Sequence, residues 1–259
     1  MTIPTWAGLA GDHHVHSTFS DDAESTVAEN VAAARQAGLN QLRLVDHVRA
    51  STTWIPEFCG QTATLRSTAQ DITILTGVEA KMLDATGRLD LPSGLRTGSN
   101  QPDRVDRVLI ADHQYPSPVG PWPPSRVLSE RAAGLSSAAI VDTLVGAMIG
   151  AMAAVEHAQL AHPFSLLPKM GLTEDDLLAE HLSALCAAAS AHGTWVEINE
   201  KWACPGPRAI EAFAAAGVTL VASSDSHHRR DVGRYRWVID LSRCLADAET
   251  DHPMSAGRR

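Results

Sequence analysis

The sequence predicts an α/β barrel of parallel strands with a metal site at the C-terminal ends of those strands. Three observations lead there. Short apolar runs of strand character alternate with helical segments, the pattern of parallel βαβ units. Residues able to bind metal recur where those runs stop, and side chains gathered at C-terminal strand ends are how such barrels build an active face. The chain has 259 residues and 44% hydrophobic content, enough for a substantial core and near the roughly 250 residues that such barrels use.

The first strand is Gly11-Asp12-His13-His14-Val15-His16-Ser17. Side chains alternate faces along a strand, so His14 and His16 share one face and can reach one cation, while His13 and Val15 point away. Asp12 falls on the His14 side, either as an outer acceptor for an imidazole or as a structural cap. Residues 23–37 read as a helix stopped by Gly38. The strand-like run 42–45 ends at Asp46-His47, and the run 72–78 ends at Glu79. Residues 81–106 are rich in Gly, Pro, Asp and Ser and read as a long loop or small hairpin over the barrel mouth, as does the Pro-rich stretch 115–124. Between them, the run 108–111 ends at Asp112-His113.

A second helix covers residues 138–157. It is the most apolar segment, but it contains Asp142 and two glycines and falls short of the roughly 20 apolar residues that span a bilayer, so it reads as a buried barrel helix. Gln159-Leu160-Ala161 then leads to His162-Pro163. A third helix spans 174–192 with Thr173 as its N-cap, followed by the strand Trp195-Val196-Glu197-Ile198-Asn199. A fourth helix over 207–216 ends at Gly217. The last strand, 218–224, stops at Asp225-Ser226-His227. Ligand types at one strand end after another exceed what 12 histidines scattered at random would place.

A single domain over residues 1–259 is expected, with about 245–259 as a flexible tail. The N-terminus lacks a basic patch before a long apolar core, which disfavours export. Cys59, Cys186, Cys204 and Cys244 form no C-x-x-C pair and read as reduced thiols of a cytoplasmic protein. A net charge of -9 disfavours extended nucleic acid, whose binding needs many Lys and Arg, and suits a small substrate. His157, His181, His192 and His252 lack a ligand partner at a strand end and read as structural or exposed.

The ordered set His14-x-His16, Ser20-Asp21, Asp46-His47, Gly77-Val78-Glu79, His113, Ala161-His162-Pro163, Glu197-Ile198-Asn199 and Ser224-Asp225-Ser226-His227 resembles the PHP family of polymerase- and histidinol-phosphatase-type phosphoesterases. It spans residues 12–233, and Asp231-Val232-Gly233 is similar to the stretch after the last motif in histidinol-phosphatase-like members. The resemblance implies a distorted seven-stranded (β/α) barrel and two or three divalent ions of Zn, Mn or Fe. It assigns His14, His16, Glu79 and Asp225 to a first metal, Glu79, His113 and His162 to a second, and Asp21, His47 and His227 to a third. Asp22 stands where the family has glycine, so Asp21 and Asp22 compete as ligands. Asp112 is an outer partner. Imidazoles and carboxylates suit these metals, and a carboxylate can bridge two of them.

The expected reaction is hydrolysis of a small phosphomonoester by a metal-activated hydroxide, with Glu79, Asp225 and His227 as its catalytic residues. Lys201, Arg229, Arg230 and Arg49 are candidate phosphate clamps, and the Arg-rich run after His227 also reads as a solvated loop. The alternatives are a nuclease or cyclic-nucleotide phosphodiesterase, hydrolysis of a non-phosphate ester or amide, and a metal-binding accessory module without turnover. No membrane is expected, and the sequence leaves the oligomeric state open.

Overall fold

The computed structural model describes residues 10–98 and 104–251. In chain order the elements are β1 (Gly11–Val15), α1 (Val27–Gln36), β2 (Gln41–His47), α2 (Ile55–Thr68), β3 (Thr73–Lys81), β4 (Arg107–Ala111), β5 (Tyr115–Ser117), β6 (Gly120–Trp122), α3 (Pro124–Ala132), α4 (Ser137–Ala154), β7 (Ala158–Ala161), α5 (Ala179–His192), β8 (Trp195–Asn199), α6 (Pro207–Ala215), β9 (Leu220–Ser223) and α7 (Trp237–Asp251). Seven strands form one parallel sheet in the order β1-β2-β3-β4-β7-β8-β9. The sheet curls into a nearly closed barrel. Its two edges meet through a bridge between Val15 and Ser226 and a 2.8 Å hydrogen bond from His16 N to Ser226 O.

Helices bury the outer faces of the strands. Leu42 and Leu44 of β2 pack with Val27, Val31, Phe58 and Ile74 under α1 and α2. Ile140, Val141, Leu144 and Met148 of α4 pack with Ile110, Leu160 and Phe164. This helix is apolar and long enough to cross a membrane by composition, yet those side chains are buried against strands and neighbouring helices. Inside the barrel, Val45, Leu109, Ala111 and Ala161 form a small apolar plug beneath the strand ends. Gly77 is required there because a Cβ would lie 2.9 Å from Leu109 Cδ1 and 3.2 Å from Val45 Cγ2.

Several local expectations are corrected. Helix α1 begins at Val27, because Thr26 and Glu29 form a reciprocal capping box, which typically stabilises a helix by about 1 kcal/mol. Thr173 caps a single 3-10 turn, Glu174–Asp176, before α5 starts at Ala179. Helices α2, α3 and α7 had no sequence expectation; the weakly amphipathic α2 and the short α3 start at Ile55-Pro56 and Pro124, where proline suits a first turn. Part of the expected tail is the end of α7, and residues 252–259 lie outside the described residues. All four cysteines are free thiols.

Strand alternation also fails at one informative place. The β1–β2 register shifts between Asp12 and Val15, and this bulge turns consecutive residues inward. His13 packs edge-on against Trp195 at 5.8 Å, and Arg43 lies over the same ring at 5.5 Å. Trp195 is two residues before Glu197 on β8, so His13 sits in the interior stack below His14 instead of facing away. Asp12 does not orient an imidazole. Its carboxylate accepts from Ser224 N and Gly233 N, both at 2.9 Å, and clamps β1 to the segment around β9.

Candidate metal centre

Glu79, near the C-terminal end of β3, stands at the centre of the histidine cluster. Its Oε1 lies 2.9 Å from His162 Nε2 and 3.1 Å from His113 Nε2. Its Oε2 lies 2.9 Å from His47 Nδ1, 3.4 Å from His14 Nε2 and 3.5 Å from His16 Nε2. Each oxygen therefore serves a different set of imidazoles, which is the disposition of a carboxylate able to bridge two ions. Asp225 follows β9 and presents Oδ1 3.4 Å from His16 Nε2. The side chains that the sequence placed at separate strand ends converge because all seven strands are parallel and end on one rim.

The buried ligand candidates are held from behind. His14 Nδ1 meets Glu197 at 2.9 and 3.1 Å, and Glu197 also accepts from Gln159 Nε2 at 2.7 Å and His162 N at 3.1 Å. His162 Nδ1 lies 3.2 Å from Asp112 Oδ1, which also accepts from Ser165 Oγ at 2.8 Å. Such partners fix an imidazole's tautomer and aim its other nitrogen outward. Asp112 is thus the outer partner expected of it. Asp46 accepts from Ser17 N, Ser17 Oγ and Ser20 Oγ at 2.6–2.8 Å, so it orders the loop after β1 and offers no oxygen to the cluster.

The electrostatics suit a bound cation. Burial alone would depress His14, but Glu197, Glu79 and Asp225 outweigh it and raise its pKa well above the ordinary value. His162 is treated alike: burial is overcome by Asp112 and Glu79, and its pKa rises to about 10. Burial wins at His16, whose pKa falls to about 3. Glu79 and Asp225 are both lowered against the pull of burial, Glu79 by His113 and His14, and Asp225 by His14 and His16. The carboxylates thus draw protons onto histidines that a divalent cation would leave neutral and able to coordinate.

Two further observations fit the group to the site. Glu79 Oε2 is buried and is faced by imidazole nitrogens at 2.9, 3.4 and 3.5 Å, and a buried carboxylate oxygen is costly without donors or a cation beside it. His14 Nε2 and His16 Nε2 face each other at 3.0 Å. Ligand atoms of His14, His16 and Glu79, of His47, Glu79 and His113, and of His16, His47 and His227 lie within 4.8 Å of one another in each group. Imidazole nitrogens and carboxylate oxygens in these sets fit Zn, Mn or Fe.

The outer rim is looser. His47 and His227 are 27% and 21% exposed, and the carboxylate facing both belongs to Asp22, whose Oδ2 lies 3.5 Å from His47 Nε2 and 3.3 Å from His227 Nε2. Of the two competing carboxylates, Asp22 makes this approach, while Asp21 lines the same cleft. The cleft is about 430 Å³ and is lined by residues following β1, β2, β4 and β8, including Asp22, Arg49, Gln114, Lys201 and Trp202. Lys201 Nζ reaches Asp225 Oδ1 at 3.4 Å and His227 Nδ1 at 3.2 Å.

Arg229 and Arg230 are not brought to the cleft. The 3-10 turn at Arg229–Asp231 directs Arg229 to Glu29 of α1 and Arg230 to Asp231. The two expected lid segments do form small hairpins, but among the described residues they do not cover the cleft; residues 99–103 lie outside the described residues. Residues 82–89 form a small hairpin whose Gly87 lies so close to α4 that a Cβ would collide with the backbone of Ala147 and Ala151. Among described residues of 81–106 only Lys81 lines the cleft, and β5 and β6 contribute none. Sequence reasoning passed over Lys81, although it lies two residues after Glu79 and hence on the same strand face, and over Trp202, which no spacing marks.

Comparisons with known proteins agree with this geometry. The PHP domain family model matches residues 12–194. A probable phosphatase of Thermoanaerobacter pseudethanolicus is 24% identical over 245 residues, covering 90% of this chain and 85% of that protein. A probable phosphatase of Acetivibrio thermocellus is 25% identical over 239 residues, with 89% and 84% covered. The histidinol phosphate phosphatase of Lactococcus lactis, solved with zinc, L-histidinol and phosphate, superposes with a TM-score of 0.61 at 17% identity, over 92% of each chain. A solved structure from Listeria monocytogenes gives 0.64 at 15% identity, over 86% of this chain and 97% of that one.

Proposed function

Because the chain belongs to the PHP domain family, we propose that it is a metal-dependent phosphatase acting on a small phosphomonoester. The observation that carries this reading is Glu79, whose two oxygens divide five imidazoles between them at the base of an open cleft. In this reading His14, His16, Glu79 and Asp225 hold one divalent ion, Glu79, His113 and His162 a second, and Asp22, His47 and His227 a third. Bound ions of this kind supply Lewis acidity toward phosphoryl oxygens and a water acidic enough to act as nucleophile near neutral pH.

The protein's own residues do the rest. Glu197 and Asp112 hold His14 and His162 in the tautomer that aims Nε2 into the site. Lys201 Nζ, beside Asp225 and His227, donates to a phosphoryl oxygen, and Arg49 stands at the cleft wall to receive the anion. The cleft volume and the net charge of -9 favour a small substrate over a polyanion. The relatives named as phosphatases, and the Lactococcus lactis structure with its small ligand and phosphate, support the same class. Four free thiols support a cytoplasmic setting.

The test is a screen of the zinc-, manganese- or iron-loaded protein against phosphomonoesters, phosphodiesters and short single-stranded DNA. Phosphate release from a monoester is expected to exceed cleavage of the others. Faster cleavage of a diester or DNA replaces the phosphatase with the nuclease or phosphodiesterase reading, and no turnover of any of them favours an accessory module.

A further inference from the structure

Trp202 lies on the loop between β8 and α6 with part of its ring exposed to the cleft. Its indole Nε1–H donates to Asp225 Oδ2 at 2.8 Å, and its backbone N–H donates to Asn199 Oδ1 at 3.1 Å. The loop is pinned at its base, where Asn199 and Cys204 exchange backbone hydrogen bonds of 2.7 and 3.4 Å. A third segment closes on the ring, since Lys169 Nζ lies 3.7 Å from the ring centroid, a cation–π distance. The indole is therefore fixed from two sides and offers its N–H to one acceptor.

That acceptor is unusual. Asp225 has φ of 53°, a left-handed conformation that few residues other than glycine adopt. Its Oδ1 faces His16 Nε2 and Lys201 Nζ, both at 3.4 Å, and His227 Nδ1 at 3.6 Å. Its Oδ2 is engaged by the indole. We propose that Trp202 is a positioning residue that commits Asp225 to presenting one oxygen, Oδ1, to a metal held with His14, His16 and Glu79. The proposal rests on the metal-centre reading above. With Oδ2 taken up by the indole, ligation through Oδ1 alone is favoured over chelation through both oxygens.

Trp202→Phe keeps the ring and its contact with Lys169 but removes the N–H. Zinc retention against a competing chelator is expected to fall about tenfold, the scale of losing one outer partner of a metal ligand. The expected fall in kcat is also about tenfold, with KM held within about twofold and the melting temperature of the metal-free protein unchanged. On an Asp225→Asn background the same change adds no further zinc loss, because two residues acting through one contact are not additive. Zinc retention within twofold of wild type, or an equal loss on both backgrounds, overturns the proposal. A second readout needs no change at 202: the indole N–H resonance of Trp202 moves on zinc addition in the wild type and stays put in Asp225→Asn. A wild-type resonance indifferent to zinc also overturns it. Neither zinc measurement requires turnover, so a protein that holds zinc in this way but hydrolyses no phosphoester leaves Trp202 in its role and removes only the phosphatase reading.

Discussion

The inner and outer parts of the histidine cluster are built to different standards. Inside, Glu79, His14, His16, His162 and Asp225 are buried, and His14, His162 and Asp225 each have a further partner in Glu197, Asp112 or Trp202. Outside, His47 and His227 are partly exposed, and Asp22, the carboxylate facing them, is 53% exposed. The difference teaches how one site combines permanence with access. Rigid outer partners preorganise ligands and strengthen metal affinity, whereas an ion held by a solvent-facing trio would be the easier one to exchange.

The largest effect should come from the residue shared by both parts. Glu79→Gln removes the bridging charge and is expected to lower kcat by more than about 100-fold, beyond the loss of a single outer partner, and to reduce metal content measured by elemental analysis. Normal metal content in this variant would break the comparison at its centre. Next, Glu197→Gln and Asp112→Asn should each weaken metal binding by about 10- to 100-fold in a chelator titration, although neither residue touches the cleft. Losses no greater than those from an exposed substitution would mean that the inner part is not preorganised.

The outer part gives a smaller and more selective signal. In a chelator titration, Asp22→Asn should make the first ion released leave at about tenfold lower chelator, while Asp21→Asn behaves as wild type. The opposite pattern would return the ligand to position 21. The last effect is on stability and not on metal, and it concerns Asp46, whose burial raises its pKa from 3.8 to about 7 against the hydrogen bonds from Ser17 and Ser20. The folded protein holds a proton that the unfolded chain releases above 3.8. This contribution to stability is therefore full below that value and is lost as pH rises toward 7. Urea unfolding of the metal-free protein should show Asp46→Asn flattening the decline between pH 4 and 7 by at most about 1.4 kcal/mol per pH unit.

The inner part was also the more legible in the sequence. His14, His16, Glu79, His162 and Asp225 each stand at a strand end, and parallel strands bring all such ends to one rim, so order along the chain translates into proximity. In the outer part His47 also ends a strand, but its carboxylate partner and the arginines depend on loop conformation, which carries no such periodicity. Position 21 or 22 was decided by a turn after β1, and the arginines at 229 and 230 were turned away by one 3-10 turn. Helix α2 was missed because its apolar residues show little 3.6-residue periodicity, and the short α3 because it is mostly polar; tertiary packing at Phe58 and Val127 supplies what local pattern lacks. The inward turn of His13 follows from a bulge, a one-residue irregularity that alternation cannot register.

The seam between β1 and β9 has a consequence for biogenesis. Its bridge and its clamp join Val15 and Asp12 to Ser226, Ser224 and Gly233, partners separated by more than 200 positions of chain. Contacts of such long range form late, since loop-closure entropy opposes them until intervening structure is in place. A ribosome must therefore deliver β9 before His14 and His16 can meet Asp225, and a nascent chain paused ahead of that point holds an incomplete ligand set. Completing the ligand set of His14, His16, Glu79 and Asp225 is thus coupled to completion of the barrel, and a product truncated before β9 would lack both the seam and Asp225.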